Sequence, residues 1–187
     1  MLEKNSIRKK FLRIRKKKYH DIDKNFFNPL KRLIKYNFLN KKINLAIYYP
    51  SFFELNVLKI FEDKYFSKNN ILLPRIAKNK IIHFSKWKKN EVLTVNKFGM
   101  LEPTKSKIRI PNLMLVPLLV FDKGKYRLGY GKGFYDRYLS SLLKKFNKIL
   151  TVGVAFSFQR YDKLPISSYD VKLDFILTEK GLMKWKY

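Results

Sequence analysis

A chain of 187 residues with 42 Lys and Arg against 14 Asp and Glu carries a formal charge of +28, enough to draw polyanions and support non-specific nucleic-acid binding. It has no cysteine, which excludes disulfides, a thiolate nucleophile and a zinc site built on sulfur. No window approaches 18 uncharged apolar residues, so neither a signal peptide nor a membrane span is expected, and the expected address is the cytoplasm.

The cations do not make a dedicated nucleic-acid arm. They are spread along the chain, with the densest run at Arg8–Lys18, and they travel with abundant Asn, Ile, Phe and Tyr, residues of A/T-rich codons. That pattern reads as compositional bias. The alternative, a basic nucleic-acid-binding protein without enzymatic activity, draws on the same run and on the high aromatic content. The length fits one domain, 1–187, able to bury about 70% of its unfolded surface. His20 and His83 lie far apart, with no metal-ligand spacing between them.

In chain order, residues 3–19 read as a helix, with Ile7, Phe11 and Ile14 on one face. A second helical stretch carries Phe26, Phe27, Leu30, Leu33, Ile34 and Phe38, with a break expected at Asn28-Pro29, a cap followed by a first-turn proline. Ile43–Tyr49 suits a buried strand, and Glu54–Phe66 returns to helical spacing. Ile71–Ile76, Ile81–Phe84 and Glu91–Asn96 are strand-like, and Thr104–Pro111 reads as a loop. Leu113–Phe121 reads as a central strand despite Pro117. Gly133–Phe146 is an amphipathic helix, and Ile149–Phe156 and Leu173–Leu177 complete the strands. Helices alternating with buried strands predict an α/β layer fold with a mainly parallel sheet.

Between the central strand and the last helix, Gly129, Gly131 and Gly133 alternate with Tyr130 and Lys132. Glycines at a strand-to-helix junction expose backbone N–H groups and admit a close ligand, and Arg127 and Lys132 add two cations, a combination suited to phosphate. The spacing is neither of the common phosphate motifs. A P-loop needs a glycine five residues before Gly131, where Tyr126 stands, and a hydroxyl after Lys132, where Gly133 stands. A dinucleotide fingerprint needs a wider third spacing and an acid for the ribose. Taken alone, the run is also compatible with a glycine-rich turn.

The full string Arg127-Leu128-Gly129-Tyr130-Gly131-Lys132-Gly133-Phe134-Tyr135-Asp136-Arg137-Tyr138-Leu139 resembles the signature of the 5-formyltetrahydrofolate cyclo-ligase (5,10-methenyltetrahydrofolate synthetase) family. Lys4-Asn5-Ser6-Ile7-Arg8, Phe98-Gly99-Met100-Leu101-Glu102-Pro103, Val152–Phe156 and Asp170–Glu179 resemble the family's other segments, in order. The resemblance implies a three-layer α/β/α fold and an ATP-dependent enzyme that closes 5-formyltetrahydrofolate to 5,10-methenyltetrahydrofolate, with magnesium as cofactor. A phosphorylated formyl oxygen needs positioning and charge neutralisation rather than a protein nucleophile.

By the same resemblance, Lys4 and Arg8 reach ATP phosphates. Arg127, Leu128, Gly129, Tyr130, Gly131, Lys132, Gly133, Phe134 and Tyr135 form the nucleotide loop, with Lys132 and Arg127 as the catalytic cations. Asp136 and Asp170 hold magnesium, with Asp174 as an alternative that could equally cap a strand. Glu54 takes the folate, and Phe98, Tyr130 and Phe134 pack against its rings. From residue types alone, Lys4 and Arg8 also fit a solvated basic face, and Asp136 and Glu54 fit ordinary first-turn helix acids. The expected state is a monomer, with a polyglutamate tail on the folate suited to the positive field and no specific nucleic-acid partner.

Overall fold

The computed structural model describes residues 2–77, 81–104, 107–145 and 149–183. The helices are α1 (Leu2–Lys18), α2 (Asn28–Phe38), α3 (Lys64–Ser67) and α4 (Phe134–Lys145), with 3₁₀ turns at Lys24–Phe27, Val57–Glu62 and Ser157–Gln159. The strands are β1 (Asn44–Ala46), β2 (Asn70–Ile76), β3 (Ile82–Lys86), β4 (Leu93–Val95), β5 (Leu101–Pro103), β6 (Leu113–Pro117), β7 (Val120–Phe121), β8 (Arg127–Leu128), β9 (Leu150–Val154), β10 (Phe175–Thr178) and β11 (Gly181–Met183). Seven of them form one sheet in the order β11-β10-β9-β6-β1-β2-β3. The five inner strands run parallel, and β3 and β11 close the edges antiparallel.

Alternation along the inner strands sends successive side chains to opposite faces. Leu45, Leu113, Leu115 and Val152 join one apolar cluster with Leu30, Leu33 and Ile34 of α2. Ala46, Met114, Val116 and Ile176 join another with Leu139 and Leu142 of α4. Helices thus cover both faces, as the predicted α/β fold with a mainly parallel sheet requires. A third cluster is smaller: Ile7 and Phe11 of α1 pack on Leu119, Val120 and Leu128. It docks α1 on the β7–β8 hairpin and not on the sheet. No helix among the described residues is long and apolar enough to cross a membrane.

Local chemistry explains where the elements differ from expectation. The predicted strand Leu113–Phe121 breaks at Pro117, which has no N–H for a ladder, and Leu119 N instead bonds Leu128 O at 2.9 Å, turning the chain into the hairpin. The stretch Glu54–Phe66 is not one helix. Asn56 caps a 3₁₀ turn through Leu58 N, and Asp63 starts the new turn α3 through Tyr65 N, since short polar side chains compete with a continuous helix. Asn28 opens α2 as expected, with Pro29 in its first turn, but the cap position is Phe27. The predicted strand Glu91–Asn96 narrows to β4, which pairs with β5 outside the main sheet. Strand β11 was not expected; the turn before it ends on Gly181 at φ +105°. Phe146, the predicted end of α4, and positions 105–106 of the predicted loop lie outside the described residues.

Candidate active site

Beyond β8 the chain runs through Gly129–Gly133 into α4. Gly131 and Gly133 have φ of +94° and +64°, a region in which a side chain costs about 1–2 kcal/mol. A Cβ on Gly131 would sit 3.3 Å from Arg8 Cζ and one on Gly133 2.9 Å from Arg137 Nη1, both ends of side chains that can shift, so the demand for glycine comes from the backbone conformation rather than from space. Arg8 reaches the loop from α1, its Nε donating to Gly129 O at 2.9 Å and its Nη1 to Asn5 Oδ1 at 2.6 Å. Lys132 is exposed, with Nζ 4.6 Å from the centroid of Phe98, a cation–π distance. Phe98 meets Phe134 edge to face at 5.1 Å. The β4–β5 hairpin that carries Phe98 is anchored by Glu102, whose Oε2 accepts from Ile76 N and Asn96 Nδ2, both at 3.0 Å.

The other predicted cations and acids gather beside this loop. Lys4 Nζ lies 2.6 Å from Asp170 Oδ2, which also accepts from Ser167 N and Oγ. Partial burial raises the Asp170 pKa, but the bonds from Lys4 and Ser167 outweigh it and leave the group below the usual carboxylate value. Arg127, expected with Lys132 as a catalytic cation, faces inward. Its side chain is only 3% exposed, and its fork is spent on Asp136 Oδ1 at 2.8 Å and Val171 O at 2.8 Å. Leu128 is buried against α1, so its side chain serves the core. The Tyr135 hydroxyl is sealed with no hydrogen-bond partner among the described residues, and burial drives its pKa well up.

Among the described residues no group of three or more His, Cys, Asp or Glu side chains could hold a metal. Two carboxylates remain, Asp136 and Asp170, joined through the 167–171 turn, since Val171 N donates to Asp136 Oδ1 at 3.3 Å. The hydrogen bonds described fall on one oxygen of each, Oδ1 of Asp136 and Oδ2 of Asp170. That leaves one oxygen apiece, a donor set that suits magnesium, which takes few protein ligands and keeps its waters and phosphates. Asp174 has a structural task besides: its Oδ2 accepts from Thr151 N at 2.8 Å and Thr151 Oγ1 at 2.7 Å, tying down the start of β9, while its other oxygen takes none of the described bonds.

Glu54 lies in a second corner, a pocket of about 420 Å³ lined by Tyr19, Pro50, Ser51, Phe52 and Phe53 among others. Its carboxylate is buried, 6% exposed, yet fully met. Oε2 accepts from Ser51 N at 2.9 Å and Oγ at 3.2 Å, and Oε1 accepts from the Tyr130 hydroxyl at 3.0 Å. Burial raises the Glu54 pKa, with Arg15 and the hydrogen bonds from Ser51 and Tyr130 opposing. The adjoining Phe52 and Phe53 hold φ of +47° and +61° and are exposed. Two left-handed phenylalanines in succession store roughly 1–3 kcal/mol each, the kind of strain that gathers at ligand clamps.

The structure therefore divides the predicted ring-packing residues. Tyr130 joins Glu54, while Phe98 and Phe134 pair with each other beneath Lys132. Sequence reasoning missed Arg15, which is 1% exposed on α1. The signal was present, because Ile7, Phe11 and Arg15 recur every four residues and form the buried face.

Comparison with known proteins bears on these features together. The model of the 5-formyltetrahydrofolate cyclo-ligase family matches residues 1–179. A 5-formyltetrahydrofolate cyclo-ligase of Mycoplasma genitalium is 31% identical over 185 residues, covering 95% of this chain and 98% of that protein. The structure of Aquifex aeolicus 5,10-methenyltetrahydrofolate synthetase superposes with a TM-score of 0.74 at 30% identity, covering 98% of this chain and 93% of that one. That of Mycoplasma pneumoniae gives 0.68 at 26%, covering 94% and 98%. Matched along nearly its whole length, the chain belongs to the 5-formyltetrahydrofolate cyclo-ligase family of enzymes.

Proposed function

We propose that the protein converts 5-formyltetrahydrofolate and ATP to 5,10-methenyltetrahydrofolate, ADP and phosphate. The observation that carries this reading is the meeting of a cationic glycine loop with a buried carboxylate pocket through one residue, Tyr130. The formyl oxygen attacks the γ-phosphorus and ADP leaves, giving an imidate phosphate. N10 then attacks the activated carbon, phosphate departs and the N10 proton is lost, so one C–N bond closes the ring.

The chain's contribution is charge and position. Lys132, Arg8 and Lys4 face the phosphates, and the loop N–H groups of Gly129–Gly133 receive phosphoryl oxygens. Arg127 acts from behind, buried against Asp136, and holds that carboxylate toward the site. Asp136 and Asp170 would hold magnesium, which offsets phosphate charge when bound. Glu54 takes the pterin amide or positions N10. We place the enzyme in the cytoplasm as a monomer. The positive field suits a polyglutamate tail on the folate, and no specific nucleic-acid partner is proposed.

The purified protein, given 5-formyltetrahydrofolate and Mg-ATP, should develop the methenyl absorbance with ADP released mole for mole. Absorbance that does not depend on ATP, or does not appear, would sink the reading.

A further inference from the structure

Arg15 is sealed on a helix whose neighbours Arg13, Lys16 and Lys17 all lie in solvent. Burying a guanidinium is costly unless its donors are met; here Nε has no hydrogen-bond partner among the described residues, and the two Nη groups find theirs in three separate segments. Nη1 donates to Leu118 O at 3.3 Å, on the link leaving β6. Nη2 donates to Phe52 O at 2.7 Å, in the left-handed pair beside the pocket, and to the Tyr130 hydroxyl in the glycine loop. Its carbon Cζ lies 5.5 Å from the Tyr130 ring centroid. Tyr130 passes the contact on, its hydroxyl donating to Glu54 Oε1 at 3.0 Å. Positions 4, 8 and 15 fall within about 40° of one another around α1, so one helix face carries Lys4, Arg8 and Arg15 to both corners of the site.

From this geometry we propose that Arg15, acting through the Tyr130 hydroxyl, couples the nucleotide corner to the folate pocket as a positioning residue for the Glu54 carboxylate. The proposal rests on Glu54 being the folate-binding carboxylate. A nucleotide seated in the loop fixes Tyr130 and α1, and thereby Arg15 and the Phe52 carbonyl, before the folate arrives. Each ligand then raises the other's affinity by the same factor, as linkage requires. Among the described residues, the titratable groups that face Glu54 are Arg15 from α1, Tyr130 from the loop, Tyr48 beyond β1 and Tyr135 from α4. Burial raises all three phenols, so in the working range Arg15 supplies the opposing charge.

The test is Tyr130→Phe, which removes one oxygen from a ring that stays in place. Two quantities are read: the Glu54 carboxyl pKa by NMR in the ligand-free protein, and the 5-formyltetrahydrofolate Kd with and without a non-hydrolysable ATP analogue. Losing a hydrogen-bond donor to a carboxylate should raise the Glu54 pKa by about one unit and cut the ATP-dependent gain in folate affinity by at least about threefold. Arg15→Met should do both more strongly if it folds, with Arg15→Lys restoring the pKa in part through its charge. An unmoved Glu54 pKa and an unchanged affinity gain in Tyr130→Phe would overturn the proposal, while ATP-dependent turnover by the wild-type protein would keep the proposed function. A wild-type protein that binds no folate would remove the functional reading and the coupling with it.

Discussion

At the glycine loop, cations stand in the open. Lys132 is solvent-exposed, Gly131 has no side chain to shield the backbone, and Arg8 leans on the loop without being enclosed. At Glu54 the arrangement is reversed, with a carboxylate buried under its own turn and answered by a sealed guanidinium. Under the proposed function the difference follows the ligands. A phosphoryl group arrives with charge and needs exposed opposite charge that costs nothing to hold ready. A neutral heterocycle needs a fixed acceptor, and a carboxylate is fixed only by burying and bonding it.

The largest expected effect is at the open corner. Lys132→Ala should lower turnover by at least about 100-fold with the circular dichroism spectrum and Tm unchanged, because the side chain is exposed and its contact among the described residues is the face of Phe98. Arg127→Met should do the opposite and depress Tm first, since it strips the partner from Asp136 and empties a sealed position. If Arg127→Met kept its Tm while turnover fell as far as in Lys132→Ala, the two cations would share one role and the inward-facing assignment of Arg127 would fail.

An intermediate effect belongs to the closed corner. Glu54 has a folded pKa above its free value, so its charged form costs stability above that pKa and the cost is relieved as pH falls through it. Glu54→Gln should therefore leave Tm at neutral pH unchanged or higher while raising the KM for folate about tenfold or more. A fall in Tm with unaltered KM would make Glu54 a cap for the 51–54 turn and nothing else.

The smallest effect compares two ion pairs of the same length. Lys4–Asp170 and Lys31–Asp63 are both 2.6 Å and similarly enclosed. In each the folded carboxylate pKa is depressed, for Asp63 chiefly by the Lys31 hydrogen bond. The stability each contributes is complete above the free carboxylate value, near pH 4, and is lost as pH falls through the lower folded one. Melts of Lys4→Met and Lys31→Met should each lie below wild type by about 1 kcal/mol or less at pH 6 and converge with it in acid. Only Lys4→Met should also slow turnover. Equal kinetics in the two variants would take Lys4 out of the site.

How much of this was legible beforehand depended on whether a residue's role was local. The glycine loop could be read because its conformational demand is written in its own residues, and the sheet because apolar runs of strand length have few other uses. Asp174 could not be settled, since binding metal and tying Thr151 ask for the same side chain and differ only in what lies 23 positions back. The inward partners of Arg127 were hidden for a related reason: a cation next to a glycine loop looks exposed, and only the folded chain shows Asp136 and Val171 O bonding it. Arg15 lay in a run of cations whose exposed members hid the one at the buried spacing.

The placement of α1 also bears on how the enzyme is made. Its Lys4 meets Asp170 across 166 positions and its Arg8 meets Gly129 across 121, so α1, made well before its partners, is among the last elements to find its place. Until the 167–171 turn has been translated, Lys4 lacks its carboxylate, and until the β7–β8 hairpin forms, Ile7 and Phe11 have no apolar surface to cover. Contacts of such sequence separation form slowly. A nascent chain can pair β1, β2 and β6 while α1 waits, and the site is assembled only once the 167–171 turn has been made.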